Sequence, residues 1–125
     1  MTSPTQRSLK KLRDEGWRCF VCERWNPFAK VRQDAFGFGD ILAFRGHVTM
    51  LVQTTSGSNV SARINKIMDI PEAHEWAAGA ARSIVVHGWA KKGKRGEAKK
   101  WECRVVNVLE DKPLDPLPNG NQMSD

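Results

Sequence analysis

The chain has 125 residues, a formal net charge of +6 and 27% charged residues. This length suits one domain with a single buried core that needs neither metals nor disulfides. No apolar run approaches the roughly 18 residues of a membrane span, and the first residues lack the apolar segment of a signal peptide. We therefore expect a soluble cytoplasmic protein without a membrane partner.

The positive charge is unevenly distributed along the chain. Residues 1–109 carry 19 basic and 10 acidic side chains, a net charge of +9, whereas residues 110–125 carry four acidic side chains and one Lys, a net charge of −3. A basic body of this size is typical of nucleic-acid-binding proteins, although net charge also serves solubility. We expect one folded domain over 1–109 and a disordered, acidic, Pro-containing tail over 110–125.

Local signals predict an α-helix at the start of the chain and then a strand. Ser3 is the expected N-cap, Pro4 the first helical residue, and Gln6 completes a capping box. Gly16 then ends the helix. Residues 17–23 follow as a strand with apolar side chains on both faces, which favours a position inside the sheet.

Two short apolar segments, 41–44 and 48–52, flank Gly46-His47 and predict a β-hairpin. A two-residue loop of type II′ needs a positive φ at its first position, which Gly46 supplies. With that loop, Arg45 pairs with Val48, and the register of the whole hairpin follows.

Counting outward from the turn pairs Asp40 with Gln53. Strand side chains alternate between faces, so Thr55 lies on the same side as Gln53. The hairpin therefore predicts one polar cluster at its open end.

The remaining elements are two helices and two strands. Residues 59–68 have an amphipathic helical pattern, and a further helix runs to about Ala80. Residues 83–89 and 101–109 are predicted strands. The order is therefore α-β-β-β-α-β, with one strand appended.

The loop between the last two strands is strongly basic and is flanked by Trp89 and Trp101. It contains six cations within ten residues: Lys91, Lys92, Lys94, Arg95, Lys99 and Lys100. Such a segment can follow a phosphate backbone while its aromatic residues stack on bases or sugars. The alternatives are a solvated hairpin tip and a pair of tryptophans that pack in the core.

The cysteines and histidines give weaker signals. Cys19, Cys22 and Cys103 are an odd number without a second CxxC, so we expect packing residues in a reducing compartment. The three histidines have no nearby Ser or Cys in the sequence pattern that would indicate a hydrolytic triad, and we expect structural roles for them.

The spacing of Asp40, Gln53 and Thr55 resembles the core of the PD-(D/E)xK nuclease superfamily, and its Holliday-junction-resolvase-like branch in particular. In that family an Asp on one strand and a Glu-x-Lys on the next hold a divalent metal and a water. Gln53 stands in place of the Glu, and Thr55 in place of the Lys. The resemblance runs from the first helix to about Leu109. It implies an α/β fold with a restriction-endonuclease-like α-β-β-β-α-β core, whose mixed central sheet is flanked by helices.

The resemblance also implies a cofactor and a set of site residues. Mg²⁺ or Mn²⁺ would be held by Asp40 and Gln53, with Asp34 restoring the negative charge that Gln53 lacks. Arg63 or Lys66 would replace the missing Lys, because the helix after the second hairpin strand packs beside the site in this fold. Thr55 would complete the catalytic set. Resolvase-like members commonly act as dimers, so a homodimer is a further expectation.

Each of these residues also has a structural interpretation. Asp40 can cap a turn at the start of its strand, and Gln53 and Thr55 can form a polar strand edge. Arg63 and Lys66 can face DNA phosphate or solvent. We predict a metal-dependent DNA endonuclease. Structure-specific or resolvase-like cleavage is one option for its activity. The alternatives are a non-catalytic DNA-binding module on the same fold and an RNA-binding domain.

Overall fold

The computed structural model describes residues 2–22 and 24–109. The α-helices in these ranges are α1 (Pro4–Asp14), α2 (Val60–Met68) and α3 (Pro71–Ala77), with a 3₁₀ turn at Gly57–Asn59 before α2. The strands are β1 (Arg18–Val21), β2 (Arg24–Asn26), β3 (Val31–Gln33), β4 (Ile41–Arg45), β5 (Val48–Ser56), β6 (Arg82–Lys92) and β7 (Lys100–Val108).

The fold is α/β and is built on a five-stranded mixed sheet in the order β1-β4-β5-β6-β7. Strands β5 and β6 are parallel, and the other neighbouring pairs of this sheet are antiparallel. A parallel pair needs a crossover connection, which α2 and α3 supply here. Strands β2 and β3 form a separate two-stranded ribbon.

Helices cover both faces of the sheet, and each face has its own apolar cluster. Helix α1 packs on one face, where the buried residues are Leu9, Leu12, Ile41, Ala43, Met50, Val52 and Val85. Helices α2 and α3 pack on the other face, where they are Phe38, Leu51, Val60, Ile67, Ala73, Ile84, Val86 and Val108. Because β4 and β5 contribute to both clusters, their side chains alternate between the two helical layers.

The start of α1 and the predicted hairpin are confirmed. Ser3 Oγ accepts a hydrogen bond from the amide of Gln6 (3.2 Å), which is the N-cap interaction. Gly46 has a φ of +61°, whereas the φ of His47 is not positive. A type I′ turn would need a positive φ at both residues, so the turn fits type II′. Arg45 pairs with Val48, so the register is the one that the two-residue turn predicts.

Two expectations about the sheet were wrong, and one pair of strands was missed. Strand β1 lies at an edge of the sheet rather than inside it, and its Phe20 is 68% exposed. The apolar side chains on both faces of β1 therefore do not indicate an inside position, because an edge strand can leave apolar side chains exposed. The β2–β3 ribbon was not predicted. Strands β6 and β7 extend into the segment expected to be a loop, which shortens the loop to residues 93–99.

Two expectations concern other parts of the chain. The expected tail, 110–125, lies outside the described residues. Within 2–22 and 24–109, no helix is long and apolar enough to cross a membrane.

Candidate active site and basic hairpin

The predicted polar cluster forms at the open end of the β4–β5 hairpin. Asp40 precedes β4, and its amide donates to the carbonyl of Val52 (2.9 Å), the ladder partner of Ile41, so Asp40 lies just beyond the last pair of the ladder. Gln53 Nε2 then donates to Asp40 Oδ2 at 2.8 Å. Both side chains are buried. The turn therefore fixes the register that brings this carboxylate and this amide together.

Thr54 completes the network around Asp40 and was not predicted. Its backbone amide donates to Asp40 Oδ2 at 2.8 Å, and its hydroxyl donates to the same oxygen at 3.1 Å. The Thr54 hydroxyl also lies 2.9 Å from that of Thr5 on α1. Alternation assigns Thr54 to the opposite face from Gln53, so the sequence pattern pointed away from it. The carboxylate reaches Thr54 because it lies at the strand end, between the two layers.

An open cleft of about 710 Å³ contains the predicted site residues. Those that line it are Asp34, Asp40, Gln53, Thr55, Arg63 and Lys66. Residues 3–6, at the start of α1, line the same cleft. Segments distant in the sequence therefore contribute carboxylates, neutral oxygens and two cations to one solvent-accessible space.

The donor set of this cleft suits a hard divalent cation that keeps several waters. Asp34 and Asp40 offer anionic oxygens, which Mg²⁺ and Mn²⁺ prefer. A carboxylate only accepts hydrogen bonds, so the amide of Gln53 must turn its nitrogen toward Asp40, which leaves Oε1 as its acceptor. Across residues 2–22 and 24–109, no group of three or more His, Cys, Asp or Glu is arranged to hold a metal ion. A metal here would depend on neutral ligands and water as well as carboxylates.

The six predicted cations are exposed along the β6–β7 hairpin. Lys91 pairs with Trp101 and Lys92 with Lys100, so three of the cations belong to paired strands. The ion pairs found in the described part of the chain lie on α1, between Lys10 and Asp14 and between Lys11 and Glu15. The hairpin cations are thus exposed to solvent without a described carboxylate partner.

The two tryptophans beside these cations differ in their surroundings. Trp89 is half-buried under α1 and donates Nε1 to Ser8 Oγ at 2.8 Å, which corresponds to the packing alternative. Trp101 is 45% exposed. The guanidinium of Arg7 lies over its ring, 3.8 Å from the centroid, and Lys91 Nζ lies 5.5 Å from the same centroid. Arg7 was not among the predicted residues.

His87 and the cysteines lie outside the cleft. His87 Nδ1 is 2.9 Å from Ser8 Oγ. Burial, assisted by the charge of Lys11 and opposed by that of Glu15, lowers the pKa of His87 to about 4. Burial also raises the pKa of the thiols, that of Cys103 to about 11, which disfavours the nucleophilic thiolate and supports packing roles.

Comparisons of the chain with protein-family models, with curated proteins and with solved structures give no match.

Proposed function

We propose that this chain is a restriction-endonuclease-like domain that binds DNA and hydrolyses its phosphodiester bonds with a divalent metal. The observation that carries the proposal is the cleft, in which Asp40 and Gln53 meet on adjacent strands while Arg63 and Lys66 face them from α2. A cleft with carboxylates on one wall and cations on another has the components for phosphoryl transfer.

The order of the elements supports the same assignment. The helix α1 precedes the antiparallel strands β1, β4 and β5, and α2 then leads toward β6, which pairs with β5 in parallel. This is the α-β-β-β-α-β order that the resemblance implies. The β2–β3 ribbon is an insertion between β1 and β4, and β7 extends the sheet beyond β6.

In the proposed mechanism each cleft residue has a defined role. Asp40, Asp34 and the Gln53 oxygen would hold the metal, which when bound would neutralise phosphate charge and lower the pKa of a bound water. Thr54 holds the Asp40 carboxylate in place through two hydrogen bonds. Arg63 and Lys66 would stabilise negative charge on the scissile phosphate.

A non-catalytic DNA-binding module on the same fold is the second candidate, and one observation favours it. Asp40 Oδ2 accepts from Gln53 Nε2, Thr54 N and Thr54 Oγ1, and Asp40 is only 6% exposed. Buried carboxylates need such partners for purely structural reasons. Metal dependence separates the two candidates.

The first prediction concerns cleavage. Purified protein should nick plasmid or junction DNA with Mn²⁺ or Mg²⁺ and lose this activity with a chelator. Asp40→Asn should abolish nicking because it removes an anionic ligand, and Lys66→Ala or Arg63→Ala should lower turnover about 10²-fold. The matched control is Asp69→Asn, because Asp69 is an exposed carboxylate at the end of α2, outside the cleft. If wild type and Asp40→Asn are equally inactive on DNA substrates of several shapes, the nuclease proposal fails and the non-catalytic binding module remains.

The second prediction tests the metal site without cleavage. In Gln53→Glu, two carboxylates would lie where a carboxylate and an amide now meet at 2.8 Å, so the variant should melt below wild type in chelator. A divalent cation that binds both should reverse the loss. Differential scanning fluorimetry should therefore record a larger rise in Tm with Mn²⁺ for Gln53→Glu than for wild type. Equal rises would argue against a metal between these strands.

A further inference from the structure

Arg7, Trp101 and Lys91 form a cluster that links α1 to the β6–β7 hairpin. The Arg7 guanidinium lies 3.8 Å from the centroid of the Trp101 ring, and Lys91 Nζ lies 5.5 Å from it. Attraction to the face of an indole ring holds both cations at the surface of the same side chain. Two like charges are thereby kept near each other at an exposed position.

The hydrogen bonding of Arg7 differs from that of the other ring-stacked arginines. Arg45 lies over Trp17 and donates to the carbonyl of Glu15, and Arg82 lies over Trp76 and donates to two carbonyls. The Arg7 guanidinium makes no hydrogen bond or ion pair with a described residue. Its planar fork of five N–H donors is therefore positioned by Trp101 but remains available for an external acceptor.

The cluster lies at the same end of the parallel strands as the cleft. Residues 3–6 line the cleft, and Arg7 follows them on α1. Gln53 pairs with Val86, and Lys91 is five positions further along β6. At about 3.3 Å per residue, Lys91 is roughly 17 Å along the strand from the level of Gln53.

We propose that Arg7 and Lys91, held on Trp101, form a clamp for the phosphate backbone of duplex DNA, beside the phosphate that enters the cleft. The clamp extends the proposed function by naming a contact and a form of substrate. Arg7 is suited to phosphate because its fork matches two phosphate oxygens, whereas Lys91 acts as a point charge.

Backbone contact fits the cluster better than base stacking does. Proteins that bind single strands use exposed aromatic faces on which bases stack. Here the Arg7 guanidinium lies against the Trp101 ring, and the Trp89 indole is half-buried with its nitrogen bonded to Ser8. The Trp101 ring thus contacts Arg7 and the Trp89 indole is partly enclosed by the protein, while the cations remain available. Trp101 is accordingly a positioning residue for Arg7.

The test is binding of a fluorescein-labelled 20-base-pair DNA duplex in EDTA, measured by anisotropy over a range of salt concentrations. Arg7→Gln should weaken binding about tenfold at physiological salt and reduce the salt slope by about 0.9. Lys91→Gln should act in the same direction. The matched control is Arg45→Gln, which removes an arginine stacked on tryptophan at the far end of β4 and should change affinity and slope little.

Trp101 variants separate the clamp from base stacking. Trp101→Leu should weaken duplex binding at least as much as Arg7→Gln does, because it releases Lys91 as well. The double variant should be no weaker than Trp101→Leu alone, because Arg7 acts through Trp101. Trp101→Phe should retain most of the affinity because it keeps an aromatic ring under the guanidinium. Circular dichroism checks that each variant is folded.

Several outcomes would overturn the clamp. They are no duplex binding by wild type, equal losses for Arg7→Gln and Arg45→Gln, additive losses for Arg7 and Trp101, and tighter binding of single-stranded DNA or duplex RNA than of duplex DNA. Because EDTA prevents metal-dependent cleavage, these results are independent of the nuclease test. A protein that binds through Arg7 but never cleaves DNA would refute the proposed hydrolysis and keep the clamp.

Discussion

His87 illustrates how single buried residues set the properties of this protein. Its side chain is 2% exposed, and Nδ1 lies 2.9 Å from Ser8 Oγ. The indole of Trp89 donates to the same hydroxyl oxygen. The Ser8 proton is then available to a neutral His87 ring, in which Nδ1 is the acceptor. The cluster thus supplies a hydrogen-bond donor to Nδ1 of a neutral His87 ring.

The third prediction follows from the lowered pKa of His87. Its ordinary value is 6.5, and burial lowers it to about 4 in the folded protein. Between these values the unfolded chain binds more protons, so the free energy of unfolding rises with pH in this window. The stabilisation is complete above pH 6.5 and lost as the pH falls to 4, about 3 kcal/mol in all.

Urea unfolding at a series of pH values measures this effect. His87→Gln removes the titrating group, so its free energy of unfolding should fall less steeply between pH 6.5 and pH 4 than that of wild type. Carboxylates contribute equally to both proteins and cancel in the difference. Parallel curves would mean that His87 is protonated in the folded state.

The residues that were predictable at this scale are those that local rules determine. The side-chain contact of Asp40 with Gln53 follows from the turn at Gly46, because the register of a two-residue loop is fixed by geometry, although the ladder itself ends at the pair of Ile41 with Val52. Thr54, Ser8 and Arg7 were not predictable. Thr54 is 14 positions from Asp40 on the same hairpin, but alternation assigns it to the opposite face. Ser8 and Arg7 are 79 and 94 positions from their partners, His87 and Trp101, and become their neighbours only when α1 packs on the sheet.

At the scale of elements, the position of α2 depends on Gly88. A Cβ atom at Gly88 would overlap Val60 Cγ2 and would lie 3.3 Å from Gly57 Cα. Val60 is the first residue of α2, which carries Arg63 and Lys66 into the cleft. The absence of a side chain at Gly88 thus lets the start of α2 approach β6 closely.

The fourth prediction tests this contact. Gly88→Ala should lower the free energy of unfolding by about 1–3 kcal/mol, the usual cost of overpacking, although Ala normally suits a strand better than Gly does. Adding Val60→Ala should recover part of the loss, because it removes the atom that clashes. Chemical denaturation of the two single variants and the double variant measures the coupling. Strictly additive losses would show that the two positions do not interact.

Whether a hairpin could be predicted from the sequence depended on the residues of its turn. The β4–β5 hairpin has a glycine where a positive φ is required, and it was predicted correctly. The β2–β3 ribbon turns through Lys30, whose φ is +55°, a conformation that non-glycine residues seldom adopt. Asn26 stabilises that turn by accepting from the amides of Phe28 and Ala29. The dipeptide Asn26-Pro27 favours a turn but does not indicate the strands beside it.

At the scale of the whole molecule, the hairpin cations are concentrated at the carboxyl end of β6. Lys91 and Lys92 are the last residues of this strand, and the loop cations follow them. Glu72 and Glu75 lie at the other end, where they line a cavity with Arg82, the first residue of β6. Such a distribution orients an approaching polyanion toward the hairpin and the cleft.

The last prediction addresses this distribution. Replacing Lys91, Lys92, Lys94 and Arg95 by Gln removes four positive charges from exposed positions. The fold should be unchanged, because these side chains make no ion pair with described residues. Duplex affinity should fall, and the salt slope should decrease by up to about 3.6, since each lost phosphate contact contributes about 0.9. The matched control neutralises Lys10, whose partner on α1 is Asp14, and should leave the slope nearly constant. An unchanged slope in the fourfold variant would locate the nucleic-acid interface on another face.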